Sequence, residues 1–330
     1  MPIQEVPLER WLDVLRDEQA PGPWTEPGTR DLVVIDLDEH DGSVPPALTE
    51  ALPVVVVGQT ARDWPELHPA AAACDVVLRE GDPALEAVAA TVAENPIASA
   101  AFATLLRGAE ARSVGAGLLA ESAVYSALQA GPEFAAWRAS RPVRTREEQG
   151  PPVTLRRTGD ELHITLSRPA VRNALDRAMR DALVEAFALV RADPSISRAH
   201  LAGEGPSFCA GGDLDEFGAR TDPATAHLLR LARSPARALA ALAGRTEAHL
   251  HGAAVGSGIE LAAFAGTVVA HPDTRIALPE VGLGLVPGAG GTVSLPARIG
   301  RHRTAWLALS RRTIDAATAA DWGLVDRIGS

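Results

Sequence analysis

Apolar positions follow two different rhythms along the chain. In the first part, unbroken runs rich in Val and Ile occur at 31–36 and 53–58, with a weaker run at 74–78. Runs of this kind, bounded by turn-forming residues, predict strands buried on both faces, as in a parallel sheet. An amphipathic piece at 6–18 and a Pro/Gly stretch at 20–28 precede them. From Pro83 the spacing becomes helical, with Asp82 placed to cap and Pro83 suited to a first helical position. Helices are predicted over 84–94, 97–106, 114–129 and 133–138.

A polar stretch at 141–152, with Pro, Gly and five charged residues, interrupts the apolar period and reads as a linker. Beyond it strand and helix signals alternate: strands at 153–155 and 162–166, a helix over 176–192, and a strand near 199–202. This is an α/β pattern. The chain therefore divides into a small α/β region at 1–80, a helical region at 81–142, a linker at 143–152 and a larger α/β unit at 153–330.

Composition narrows the chemistry. The chain has 330 residues, 46% hydrophobic and 22% charged, enough for one large domain or two ordinary ones. All 31 basic residues are Arg, so no lysine can form a Schiff base. A formal charge of −11 argues against a nucleic-acid surface. The two cysteines, Cys74 and Cys209, lack metal-ligand spacing and fit a reduced cytoplasmic protein. No apolar run reaches membrane-spanning length, so no membrane partner is expected.

Two glycine clusters dominate the second half, Phe208-Cys-Ala-Gly-Gly-Asp213 and His251-Gly-Ala-Ala-Val-Gly-Ser-Gly-Ile-Glu-Leu261. Both are read as strand-to-helix turns, where glycine lets backbone N–H groups approach a ligand closely. Two such turns converging would make an oxyanion hole; tight turns without a ligand would look the same. Glu260 and Glu280 each sit among apolar residues beside these turns. A carboxylate in such a setting is costly to bury unless it is paired, hydrogen-bonded or functional. Two of them suggest a general acid/base pair. Glu247 and His249 alternate, so they share one face of a predicted strand. His251 and His271 read as ordinary turn or surface residues.

Residues 153–330 resemble the enoyl-CoA hydratase/isomerase (crotonase) family. The resemblance is carried, in order, by Ser167-Arg-Pro-Ala-Val-Arg-Asn-Ala-Leu175, Phe208-Cys-Ala-Gly-Gly-Asp-Leu214, Gly256-Ser-Gly-Ile-Glu-Leu261, Leu278-Pro-Glu-Val-Gly-Leu-Gly-Leu-Val-Pro-Gly-Ala-Gly-Gly-Thr292 and Ala316-Ala-Thr-Ala-Ala-Asp-Trp-Gly-Leu-Val-Asp326. It implies an α/β, crotonase-like (ClpP/crotonase) superhelix of ββα turns, assembled as a homotrimer or dimer of trimers. It implies a lyase that adds water to a 2-enoyl-CoA thioester, with no cofactor other than the coenzyme A carried by the substrate and no metal. Glu260 and Glu280 take the catalytic positions, and the backbone N–H groups of Gly212 and Ser257 form the oxyanion hole. Arg172, Ala174, Asp213 and Leu214 fall on the CoA-contacting loops. Ser257 stands where Gly is usual and narrows the pocket, and Asp215 stands where a basic residue is common.

The family usually continues well past its "GLV" stretch, with helices that cover the site. Here the stretch 82–140 resembles that segment, in particular Gly117-Leu-Leu-Ala-Glu-Ser-Ala-Val-Tyr-Ser-Ala-Leu128. Two readings follow: the N-terminal helices supply a displaced lid, or they form an unrelated domain. Enoyl-CoA isomerisation or another acyl-CoA reaction, and a non-catalytic acyl-CoA or protein-binding subunit, are the rival functions.

Overall fold

The computed structural model describes residues 7, 11, 32–39, 52–63, 68–142, 144, 150–219 and 222–329. Most of the expected amphipathic piece at 6–18, the Pro/Gly stretch and most of the linker lie outside the described residues. The Val-rich runs form β1 (Leu32–Asp36), β2 (Val55–Thr60) and β3 (Val76–Arg79), a parallel sheet in the order β1-β2-β3. Both faces are buried, as continuous apolar runs require. Val33, Ile35, Val54, Val56 and Val77 pack into a small core of their own. Val34, Val55, Val57, Val76 and Leu78 belong to the main core, which runs without a break into the rest of the molecule.

Four helices follow: α1 (Ala84–Glu94), α2 (Pro96–Arg107), α3 (Val114–Gln129) and α4 (Pro132–Ala139). Helix α1 spans the expected residues, with Pro83 just before its first turn rather than in it. Pro83 occupies the cap position and the Asp82 carboxylate accepts the Ala84 N–H at 2.8 Å. The N-terminus of α2 is closed from a distance, because Glu133 takes the Ile97 and Ala98 N–H groups at 2.7 and 2.9 Å. This meets two of the donors a helix end leaves unpaired.

The larger unit contains β4 (Val153–Thr158), β5 (Glu161–Leu166), α5 (Arg177–Ala192), β6 (Arg198–Gly203), α6 (Pro223–Ala232), α7 (Pro235–Ala240), β7 (Thr246–Leu250), β8 (Ala253–Val255), α8 (Ser257–Ala262), β9 (Thr267–Ala270), β10 (Arg275–Ala277), α9 (Gly291–Ser310), β11 (Ile314–Asp315), α10 (Ala316–Trp322) and β12 (Arg327–Ile328). A six-stranded sheet runs β12-β9-β7-β6-β5-β4, parallel except for the β4–β5 pair. A second sheet runs β11-β10-β8. Helix α5 buries Met179, Leu183, Ala186, Phe187 and Val190, a stripe at helical spacing, and Asp176 caps it through the Met179 N–H at 2.7 Å.

The helical region is not a separate body. Helix α9 packs against α1, α2 and α3, and α3 packs along α6. The N-terminal sheet is tied in by polar contacts as well. Arg107 of α2 pairs with buried Asp75 at 2.7 Å and donates to the Leu52 and Val54 carbonyls at 2.7 and 2.6 Å. From α9, Arg301 donates to the Cys74 and Ala72 carbonyls at 2.6 and 2.5 Å.

Candidate active site

The first glycine cluster does not open a helix, contrary to the sequence expectation. Residues 208–209 extend along β8: the Cys209 N–H donates to Ala253 at 3.0 Å and the Cys209 carbonyl accepts from Val255 at 2.9 Å. A single parallel bridge then joins Gly212 to Leu175. It uses the Gly211 carbonyl and the Asp213 N–H, each at 2.8 Å. A series of turns follows up to Gly218, whose φ is +74°. The groups used by the bridge flank Gly212, so its own N–H turns to the opposite side.

The Leu175 partner strand is held by Asn173, in the left-handed region at φ 55°, which Asn tolerates better than most residues. Its buried side chain accepts the Arg168 N–H at 2.8 Å and donates to the Glu204 and Ser207 carbonyls at 2.8 and 2.9 Å.

The second cluster behaves as expected. Gly256 (φ +50°) turns the chain from β8 into α8, of which Ser257 is the first residue. Glu260 follows in the same turn of helix, and Glu280 begins a 3-10 turn after β10. Glycine at 256 is required by space: an added Cβ would lie 2.1 Å from Glu280 Oε1.

A third turn, at 288–292, brings a residue that sequence reasoning did not place in the site. The N–H groups of Ala289 and Gly291 donate to Glu260 Oε2 at 2.7 and 2.9 Å. The intervening Gly290 N–H and the Thr292 N–H donate to the two oxygens of Glu121 at 2.7 and 2.9 Å, and the Thr292 hydroxyl adds 2.7 Å. The free N–H groups at the start of α9 are thus dealt alternately to two carboxylates. Glu121 comes from α3, where Leu118, Ser122 and Tyr125 share its buried face. The Tyr125 ring lies over Gly288, where a Cβ would come within 2.6 Å of it, and the Arg230 guanidinium covers the same ring at 4.6 Å. The signal was present in the chain, an acid on a largely apolar helix face, but its destination lies 169 residues further on.

Glu121, Glu260 and Glu280 are 2%, 1% and 7% exposed. Burial raises all three above the ordinary carboxylate range, Glu121 to about 7 and Glu280 to about 8. Glu260 is also raised well above that range, first by burial and then by the negative charges of Glu280 and Glu121. The N–H donors pull against burial at Glu121 and Glu260. Glu280 Oε2 has no hydrogen-bond partner among the described residues, and only its own backbone N–H pulls against burial there. Three neighbouring buried acids cannot all be charged; burial keeps the proton on Glu280 at neutral pH, which relieves part of the repulsion that raises Glu260.

A cavity of about 290 Å³ opens at these residues. Its walls include Gly212, Asp213, Ser257, Glu260 and Glu280 of the expected site, together with Tyr125 of α3. Arg172, Ala174 and Leu214 lie beside the wall but do not line the cavity. The Arg172 carbonyl accepts from Ala210, and Ala174 accepts from the Arg168 guanidinium, which also meets Asp213 at 3.2 Å. Cys209 is fully buried and its thiol is pushed up to about 11 by burial, which suits a packing role. His251 and His271 are turn residues, bonded to the Gly205 carbonyl and to Asp273.

Residues 160–330 match the family profile described as enoyl-CoA hydratase/isomerase. Among curated relatives, a mevalonyl-coenzyme A hydratase of Beauveria bassiana (strain ARSEF 2860) is 34% identical over 175 residues, 51% of this chain and 62% of the relative. A 2,3-dehydroadipyl-CoA hydratase of Escherichia coli (strain K12) is 38% identical over 167 residues, 51% of this chain and 65% of the relative. The chain thus spans less than two thirds of the length of either. A solved enoyl-CoA hydratase from Thermoplasma volcanium GSS1 aligns with 55% of this chain and 72% of its own, at 34% identity and a TM-score of 0.50.

Proposed function

Because the chain belongs to the enoyl-CoA hydratase/isomerase family, we propose that its cavity adds water across the double bond of a 2-enoyl-CoA thioester. The observation that carries this reading is the unlike environment of two buried carboxylates in one cavity. Glu260 is held by two N–H donors on a single oxygen, which stabilise its charged form against burial and the charges of Glu280 and Glu121. Glu280 keeps its proton.

In this reading the charged Glu260 takes a proton from water, whose oxygen bonds to the β-carbon. The pair of electrons displaced from the double bond moves toward the thioester oxygen, and the α-carbon then takes the proton of Glu280. Water adds, both carboxyl groups exchange roles, and no cofactor beyond the substrate's own CoA is needed. The N–H of Ser257 is free for the thioester oxygen because the first N–H groups of a helix have no internal partner. The N–H of Gly212, turned away from Leu175, is the second donor. Each such donor is worth on the order of 10²–10³ in rate, and each acid or base about 10²–10⁴.

Helices α1–α4 are read as the lid over this site, with Glu121 and Tyr125 as its inward-facing residues. That role belongs to a segment which precedes the matched residues 160–330 in the chain. The family's trimeric assembly is carried over with it. The test is the loss of enoyl absorbance from crotonyl-CoA by the full chain, alongside Glu260→Gln and Glu280→Gln. A fall of at least 10² in kcat in both variants is expected; turnover unchanged in either overturns the assignment.

A further inference from the structure

The core-facing residues of the six-stranded sheet leave a polar row on its other face. In β5, Leu162 and Ile164 are buried while His163 faces outward, and in β6 Ala199 and Leu201 flank an outward His200. The parallel register sets His163 beside His200 and His200 beside Glu247 of β7, and His249 follows Glu247 on the same side. The pair singled out in the sequence is therefore part of a larger group, none of which lines the cavity.

We infer that His200, Glu247 and His249 form a binding site for a divalent transition-metal ion such as Zn²⁺. His249 Nε2 lies 3.2 Å from His200 Nδ1 and 3.0 Å from Glu247 Oε1, and the three donor atoms fall within 4.8 Å of one another. Ligand atoms about 2.0–2.1 Å from a tetrahedral ion are separated by roughly 3.3 Å, which two of the three separations here already match, with the third within 4.8 Å. Protons serve it poorly. A neutral imidazole nitrogen has either one hydrogen or one lone pair, so His249 Nε2 satisfies both neighbours only by splitting one N–H between them. An ion in place of that hydrogen takes a lone pair from all three.

The surroundings suit this role. Buried His200 Nε2 has no hydrogen-bond partner among the described residues and lies 3.6 Å from Glu161, near enough for that carboxylate to support the ring once it binds an ion. The His163 ring stacks on His200 at 5.1 Å and fixes its plane. His200 and Glu247 side chains are 15% and 8% exposed, and His249 at 38% leaves the outer side open for a water as fourth ligand. Arg327 and Arg198 approach Glu247 at 2.7 and 3.8 Å. Both arginine side chains are more than half exposed, so solvent can take up either guanidinium when an ion replaces it at the buried Glu247.

The experiment loads the metal-free full chain with Zn²⁺ alone and, for its visible spectrum, with Co²⁺. One ion per chain is expected, with a Co²⁺ spectrum of four-coordinate type and a raised Tm. His200→Gln and His249→Gln should each weaken binding at least tenfold, while His271→Gln should leave it unchanged. Circular dichroism and crotonyl-CoA turnover report folding independently, and both should be retained in the His200→Gln and His249→Gln chains. Absence of stoichiometric uptake, or uptake unaltered in His200→Gln and His249→Gln, overturns the proposal.

Discussion

Glu121 and Glu260 share the same helix end: successive N–H groups at the start of α9 bind one and then the other, and the charge of Glu121 raises the proton affinity of Glu260. Helix α3 therefore influences the electrostatics of the proposed base without being part of the matched family segment.

Replacing Glu121 by Gln keeps its volume and removes its charge. The charge on Glu260 then becomes easier to hold, so the acid limb of the kcat/KM profile moves to lower pH while turnover persists. Glu121→Ala also leaves the Gly290 and Thr292 N–H groups unpaired in a buried space, at a cost of about 2–4 kcal/mol. Denaturant titration and a pH–rate series measure both effects; identical pH profiles for Glu121→Gln and the wild type would disprove the coupling.

Gly256 leaves room for Glu280. In Gly256→Ala the new methyl group meets Glu280 Oε1 and must also hold a backbone φ of +50°, which costs a non-glycine residue roughly 1–2 kcal/mol. A loss of hydration of at least 10² is expected, with a folded chain by circular dichroism. Wild-type turnover in that variant would show that the carboxylate's position is unimportant.

The acids also make stability depend on pH. An unfolded Glu releases its proton near 4.5, whereas folded Glu121 and Glu280 hold theirs to about 7 and about 8. Between these limits the folded chain binds more protons than the unfolded chain, so stability falls as pH rises. The contribution is complete below about 4.5 and is lost as pH passes through 7 and 8. Melting curves of Glu280→Gln should show a shallower decline over this window, and its absence of effect would mean that Glu280 ionises normally. In the wild type, kcat/KM should fall above about pH 8 as the proton donor is lost.

Arg107 and Asp75 form a pair whose side chains are 5% and 1% exposed, and Arg107 also closes two carbonyls of the N-terminal sheet. Arg107→Ala strands a buried carboxylate, at a cost of about 3–5 kcal/mol in urea titration. Turnover per folded molecule should change little, because neither residue lines the cavity. A change below about 1 kcal/mol would mean that water reaches Asp75.

Much of this was legible from residue types alone. The Val runs could only be buried strands, and the Gly256–Glu260 turn announced itself through its glycines. The first cluster misled because glycines after a strand looked like a turn into a helix, yet the Asp213 side chain is drawn to Arg168 and to the Asp215 N–H, and Gly218 turns the backbone away. Glu121 could not be placed in the site because helical periodicity gives a face but not what packs on it. Its partners belong to α9, and only the three-dimensional approach of the two segments shows that an acid is needed there. The family resemblance covered residues 153–330 and suggested that the 82–140 stretch stands in for a lid. It assigned no role to the residues of that stretch.

The order of segments has a consequence for synthesis. A ribosome releases α3, with Glu121 on its buried face, well before the turn at 288–292 that will bind it. Until that turn emerges, Glu121 and Glu260 both lack the N–H groups that make their burial tolerable. The site thus settles late in synthesis, and its closing waits on contacts of long sequence separation, which form slowly. Nascent chains would carry an unfinished, solvent-open cleft, and a chaperone that shelters it during translation should raise the yield of active enzyme.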